Sequence, residues 1–121
     1  MNIIFGDAVK SLSTRHVVLE LDTFQRPDNS KITAYCVVEK IVPQEVHLLE
    51  SIILIHNDMM TCYKQQLWDK CIDSAQELRG KFNGEVDSFY EDLVKRAKKF
   101  KANPPDGDWD GSRPVYAPVS V

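Results

Sequence analysis

Pro27-Asp28-Asn29-Ser30, set between His16-Val17-Val18-Leu19-Glu20-Leu21-Asp22 and Ile32-Thr33-Ala34-Tyr35-Cys36-Val37-Val38-Glu39, decides how this chain begins to fold. Proline fixes φ near the value a turn needs, and Asp and Asn tolerate the left-handed backbone that closes one. The flanks are β-branched, aliphatic and aromatic, types that suit a pleated, half-buried surface. Two such runs joined through a turn read as an antiparallel hairpin. Ahead of it, Asn2 to Phe5 is a short apolar run, and Asp7 to Leu12 has room for a turn or two of helix.

Beyond Pro43 the apolar period changes to that of a helix. Val46, Leu49, Ile52, Ile53, Met59, Met60 and Tyr63 predict one helix from Gln44 to about Tyr63. Trp68, Cys71, Ile72, Ala75 and Leu78 line a second, from Trp68 to about Lys81, which Gly80 and Asn83-Gly84 bring to a stop. Val86, Phe89, Tyr90, Leu93, Val94, Ala97 and Phe100 form the stripe of a third, from about Glu85 to Lys101. The short link Lys64-Gln65-Gln66-Leu67 makes the first two helices an antiparallel pair. A tyrosine late in the first helix and a tryptophan opening the second give that pair a tetratricopeptide-like look. Its spacing departs from the roughly 34-residue consensus, and a single unit cannot bury its own faces.

The tail, Asn103-Pro104-Pro105-Asp106-Gly107-Asp108-Trp109-Asp110-Gly111, cannot continue a helix. Its large indole needs burial, so the chain is expected to fold back and dock, with Trp109, Trp68 and Tyr90 as structural anchors. The expected class is α+β: an N-terminal hairpin region over 1–42, a three-helix segment over 43–102, and an extended docked tail over 103–121.

At 121 residues, 43% hydrophobic and 27% charged, the chain suits one compact soluble domain. A net charge of −3 gives no reason to expect nucleic acid or an anionic membrane as partner. Cys36, Cys62 and Cys71 are odd in number and lack metal-site spacing, which favours a reducing compartment over a disulfide framework or zinc. No apolar run reaches the roughly 18 residues of a membrane span, and no secretory signal is expected. A cytoplasmic protein without a cofactor of its own follows.

Chemistry-bearing residues are sparse. His16, His47 and His56 are scattered, with no nucleophile or acid at motif spacing, and read as surface or satisfied structural histidines. Tyr63, Trp68, Phe89 and Tyr90 fall at helical spacing and read as core. The basic run Lys95-Arg96-Ala97-Lys98-Lys99-Phe100-Lys101 complements a helix C-terminus, with Asp106, Asp108 and Asp110 placed to fold back and neutralise it. Its functional reading is an acidic-partner patch at Lys95, Lys98 and Lys99. The first helix carries more apolar residues than one stripe hides. Leu48, Leu54 and Ile55 fall off the main face, so they are partner-binding candidates, with Met59 and Met60 as adaptable contacts.

Taken in order, these segments resemble the C-terminal end of a class III adenylate/guanylate cyclase catalytic domain and its helical extension. Ile3-Ile4-Phe5-Gly6-Asp7-Ala8-Val9-Lys10 is similar to the family's late strand and short helix. Val18-Leu19-Glu20-Leu21-Asp22 resembles its next strand, and Ile32-Thr33-Ala34-Tyr35-Cys36-Val37 its last. The helix pair, the Tyr90 to Arg96 helix and the Pro-Pro…Asp-Trp-Asp-Gly ending resemble the extension. The resemblance implies that two metal-binding aspartates, the purine-selecting residues and an Asn/Arg pair belong upstream of the matched segment. This chain alone is therefore expected not to catalyse nucleotidyl transfer, with Mg²⁺ or Mn²⁺ relevant only if it completes a cyclase site. The family's triphosphate-contacting lysine belongs in the loop that here reads Arg26-Pro27-Asp28-Asn29-Ser30-Lys31. Lys31 and Arg26 are the phosphate candidates, and Asp28 would repel a phosphate.

Two functions remain in play. One is a non-catalytic, cyclase-derived interaction or structural module working in a larger assembly with a protein partner. The other is a C-terminal fragment of an active cyclase that needs a separate N-terminal half to make cyclic nucleotide from ATP or GTP.

Overall fold

A computed structural model of the chain describes residues 2–6, 17–38 and 46–114. Strand β1 spans Asn2–Phe5, β2 Val17–Gln25 and β3 Lys31–Val38. Helices α1 (Val46–Lys64), α2 (Trp68–Leu78) and α3 (Asp87–Ala102) follow, and a short β4 (Ser112–Pro114) ends the described chain. The expected α+β class holds. The Asp7 to Leu12 helical turn, His16, Glu39, Pro43 and Gln44 lie outside the described residues.

The hairpin forms as expected. β2 and β3 pair antiparallel from Val17↔Val38 to Gln25↔Lys31. Asn29 closes the turn at φ 70°, and Asp28 Oδ1 accepts from both the amide and the hydroxyl of Ser30. It is not a lone hairpin, however. The sheet is mixed and four-stranded, in the order β1-β3-β2-β4, with β1 antiparallel to β3 and β4 parallel to β2. Both outer edges of the hairpin thus gain partners from the chain itself.

A register shift between Glu20 and Asp22 makes Leu21 the extra residue of a bulge. Leu19 lies opposite Cys36 and Asp22 opposite Ala34, so the bulge turns Asp22 onto the face that Leu19 and Cys36 share. That face meets the helices. Leu19, Leu21, Cys36 and Val38 join Met59, Tyr63, Cys71, Leu78, Tyr90 and Leu93 in one core. Residues from before and after position 43 therefore build the same interior. Ile3 and Phe5 of β1 share this face but stay about half exposed (48% and 50%), beyond the cover of the helices.

The helical stripes pack as their periods predict. Trp68, Cys71, Ala75 and Leu78 are the buried residues of α2, and Phe89, Tyr90, Leu93 and Ala97 those of α3. Helix α2 ends at Leu78, earlier than the expected Lys81, because Arg79 turns extended (φ −60°, ψ 130°) and Gly80 left-handed (φ 82°). Asp87 Oδ1 accepts the Gly80 amide at 2.8 Å, and Phe82 plugs the core from the connection.

Candidate functional site

The tail docks. After α3, Asn103 donates its amide to the Lys99 carbonyl, and the prolines carry the chain away in a non-helical course. Residues 106–112 then fold on themselves. The Trp109 amide bonds the Asp106 carbonyl at 3.0 Å, the indole N–H bonds the Ser112 carbonyl at 3.0 Å, and Asp110 accepts from the Ser112 amide and hydroxyl. This shaped loop seats Trp109 in an aromatic cleft, its ring centroid 5.2 Å from Tyr63, 5.3 Å from Phe100 and 5.8 Å from Trp68. Gln66 donates to the Asp106 carbonyl, and Lys31 forms an ion pair with Asp110. Gly111, buried and at φ 92°, passes so close to Lys64 that a Cβ there would lie 2.7 Å from Lys64 Cγ.

Beneath the cleft lies a charged clasp between sheet and helices. Arg96 donates to both Asp22 oxygens, at 2.7 and 3.3 Å, and to the Tyr63 hydroxyl at 3.3 Å. Its Nε stands 2.9 Å from Asp92, and its guanidinium lies within 6 Å of the Tyr63 and Phe89 ring centroids. Burial opposes the Arg96 charge, yet the hydrogen bonds and charge of Asp22 raise its pKa overall. Burial also pushes the Tyr63 hydroxyl up. Glu20, next to the bulge, pairs with Lys64 at 2.5 Å.

His56 is fully buried. Its Nε2 lies 2.6 Å from the Glu20 carbonyl, which can only accept, so Nε2 carries the proton and Nδ1 accepts from the Tyr90 hydroxyl at 2.9 Å. Burial lowers the His56 pKa, so the ring is held neutral. Tyr90, which burial raises strongly, is likewise a neutral donor. His56 is thus a satisfied structural histidine that ties α1, β2 and α3 together.

The other candidates are scattered. Lys31 and Arg26 flank the hairpin turn, where Lys31 is taken up by Asp110 and Arg26 is exposed near Asp28. Hydrogen bonds from Ser30 hold the Asp28 carboxyl below its ordinary value, so the loop presents a negative charge. Asp110 therefore neutralises Lys31 rather than the basic run of α3. Arg96 of that run turns inward to Asp22, and Lys101 pairs with Asp69. Lys95, Lys98 and Lys99 remain exposed on the outer face of α3.

On α1, Leu48 and Leu54 are 55% and 62% exposed, outside the core stripe. Ile55 is half-buried and packs against the core. Met59 and Met60 are buried at 0% and 4%, which corrects their reading as partner contacts: α1 turns both thioethers inward, where they fill the core. Leu48, Ile52 and Ile55 line one wall of a groove of about 440 Å³, with Glu77, Gly80 and Lys81 on the other. Cys36 and Cys71 are buried, with thiols pushed up to about 11 and about 12 by desolvation, and so are unreactive packing residues. Among the described residues no cluster of His, Cys, Asp or Glu could hold a metal ion, and no helix is long and apolar enough to cross a membrane.

The reading from sequence allowed His56 as a satisfied structural histidine without placing it at the centre of the core, and it missed the structural role of Arg96. The signal was present, because each sits on the apolar stripe of its helix, His56 three residues before Met59 and Arg96 three after Leu93. Comparisons with protein-family models, curated proteins and solved structures gave no match.

Proposed function

We propose that this chain is a non-catalytic interaction module, derived from the terminal strands and tetratricopeptide-like extension of a cyclase, that docks on a protein partner in the cytoplasm as part of a larger assembly. The observation that carries this reading is the α1 surface. Leu48 and Leu54 are 55% and 62% exposed, and Leu48 lines a groove with Ile52 and Ile55 opposite Glu77, Gly80 and Lys81. Helix-in-groove and groove-on-helix contacts use such leucines as anchors. The charge of Lys95, Lys98 and Lys99 on α3 supplies a second, polar contact for an acidic region of that partner.

The turn between β2 and β3 supports the non-catalytic side of the proposal. Its lysine is spent on Asp110, and its Asp28 carboxylate would repel a triphosphate. Completion of a cyclase site by this chain would require the loop to open and Lys31 to exchange partners. The test compares the native chain with Leu48→Asp/Leu54→Asp in quantitative co-purification from its own cells. A partner retained by the native chain and lost by the variant, with the melting temperature of the variant unchanged, supports the proposal. Identical partners for both would overturn it, as would cyclic nucleotide formation by the pure chain that Lys31→Ala abolishes.

A further inference from the structure

The tail cleft shows its own ligand. Trp109 lies among Tyr63, Trp68 and Phe100, its backbone shaped by bonds internal to residues 106–112. The segment therefore carries its bound shape with it, whichever cleft it enters. Its outward contacts are few and of separate kinds: Gln66 on the Asp106 carbonyl, Lys31 on Asp110, and β4 on the outer edge of β2. Only Asn103-Pro104-Pro105 joins this unit to α3, and no hydrogen bond from either proline is possible.

We propose that the cleft accepts residues 103–114 from a second copy of the chain as well as from its own, so that two chains pair by exchanging tails. Every docking contact survives the exchange, because each is made between the tail unit and the body. What changes is the direction taken at Pro104-Pro105, where the proline rings restrict the backbone to few courses. The partner in this association is fixed by the ligand the cleft displays, a tryptophan on an acidic, glycine-containing turn. The surface is separate from the partner candidates on α1, since Leu48 and Leu54 lie about 22 Å and about 14 Å from Tyr63 along the helix.

A short tether gives the chain's own tail an effective concentration on the order of millimolar, so exchange is favoured when chains refold together at similar concentration. The experiment uses full-length chains labelled at the amino terminus with donor or acceptor fluorophore, unfolded together and refolded at about 1 mM. Dimer mass by light scattering with energy transfer between labels is expected. Trp109→Ala in both populations removes the anchor from own and exchanged docking alike, so it should leave monomers with undocked tails in place of the dimer, and an excess of synthetic peptide 103–114 should compete the dimer away. Should Trp109→Ala fail to melt cooperatively, Gly111→Ala serves as the tail-release variant. Monomers alone at that concentration would overturn the proposal. So would a dimer indifferent to both tail variants and to the peptide, since it would use another surface.

Discussion

Replacing His56 tests the interior most sharply. In His56→Phe the ring is kept but enlarged, and the Tyr90 hydroxyl and the Glu20 carbonyl both lose their partner. An unsatisfied buried group costs about 1–3 kcal/mol, so the variant should lose roughly 2–5 kcal/mol, a large share of a typical domain's stability. His56→Gln offers an amide donor to Glu20 and an amide oxygen to Tyr90, and should lose less than about 2 kcal/mol. The two variants also separate packing from proton linkage. The fold lowers the His56 pKa below its ordinary 6.5, so below that pH the unfolded chain takes up a proton that the folded chain refuses. Acid therefore draws the equilibrium toward unfolding, and the contribution is lost as pH falls from 6.5 toward the folded pKa. Between about pH 7.5 and 5.5 the wild type should lose up to about 1.4 kcal/mol that His56→Gln does not. Urea denaturation at a series of pH values measures the difference. Parallel pH dependence of wild type and His56→Gln, or an unchanged stability in His56→Phe, would refute the reasoning.

Trp109→Ala should cost about 2–3 kcal/mol, less than a fully buried tryptophan because the ring is only half-buried, and lower the Tm by roughly 10 °C. Asp106→Ala should leave Tm unchanged, since Gln66 bonds the backbone carbonyl of Asp106 and not its side chain. Gly111→Ala should cost about 1–3 kcal/mol, from left-handed backbone and the Lys64 contact, while Gly107→Ala, with nothing within 4 Å of its added methyl, should be neutral in the same melting assay. Arg96→Met strands the Asp22 carboxylate, whose side chain is 14% exposed, and should cost roughly 2–4 kcal/mol by chemical denaturation. Removing the exposed Arg79–Glu91 pair with Arg79→Ala should change stability by less than about 0.5 kcal/mol.

What was legible in the sequence was local. The Pro-Asp-Asn turn, the β-branched flanks, three helical stripes and a tryptophan after two prolines each carry their signal within a few residues, and each appears where expected. What was not legible depends on partners far along the chain. The bulge at Leu21 is invisible in Glu20-Leu21-Asp22, which alternates like an ordinary strand, yet it decides that Asp22 meets Arg96. Ser112-Arg113-Pro114 has no strand period and includes a proline, and it becomes β4 only because β2 presents an open edge. Met59 and Met60 fall on the apolar stripe of α1, so their inward turn was legible in the period, and it is the reading of them as partner contacts that the core overturns. The candidate site was legible only as types of residue. Exposed Leu48 and Leu54 followed from helical period, whereas the capture of Lys31 by Asp110 required the tail to be in place.

The parallel pairing of Thr23 with Ser112 also sets an order of events in time. The turn at Asn29 can close its hairpin in microseconds, and the three helices meet through short links. The far edge of β2 is expected to stay open until residues 112–114 are available and α1 to α3 have assembled, because Tyr63, Trp68 and Phe100 come from all three helices. Joining residues so distant in sequence is slow, and until it happens the edge is open to other strands. The docking of Trp109 is therefore the expected last step of folding. Tryptophan fluorescence in a Trp68→Phe background should report it as a phase later than the recovery of helical circular dichroism, and the interval between the two is when this chain is most prone to aggregate.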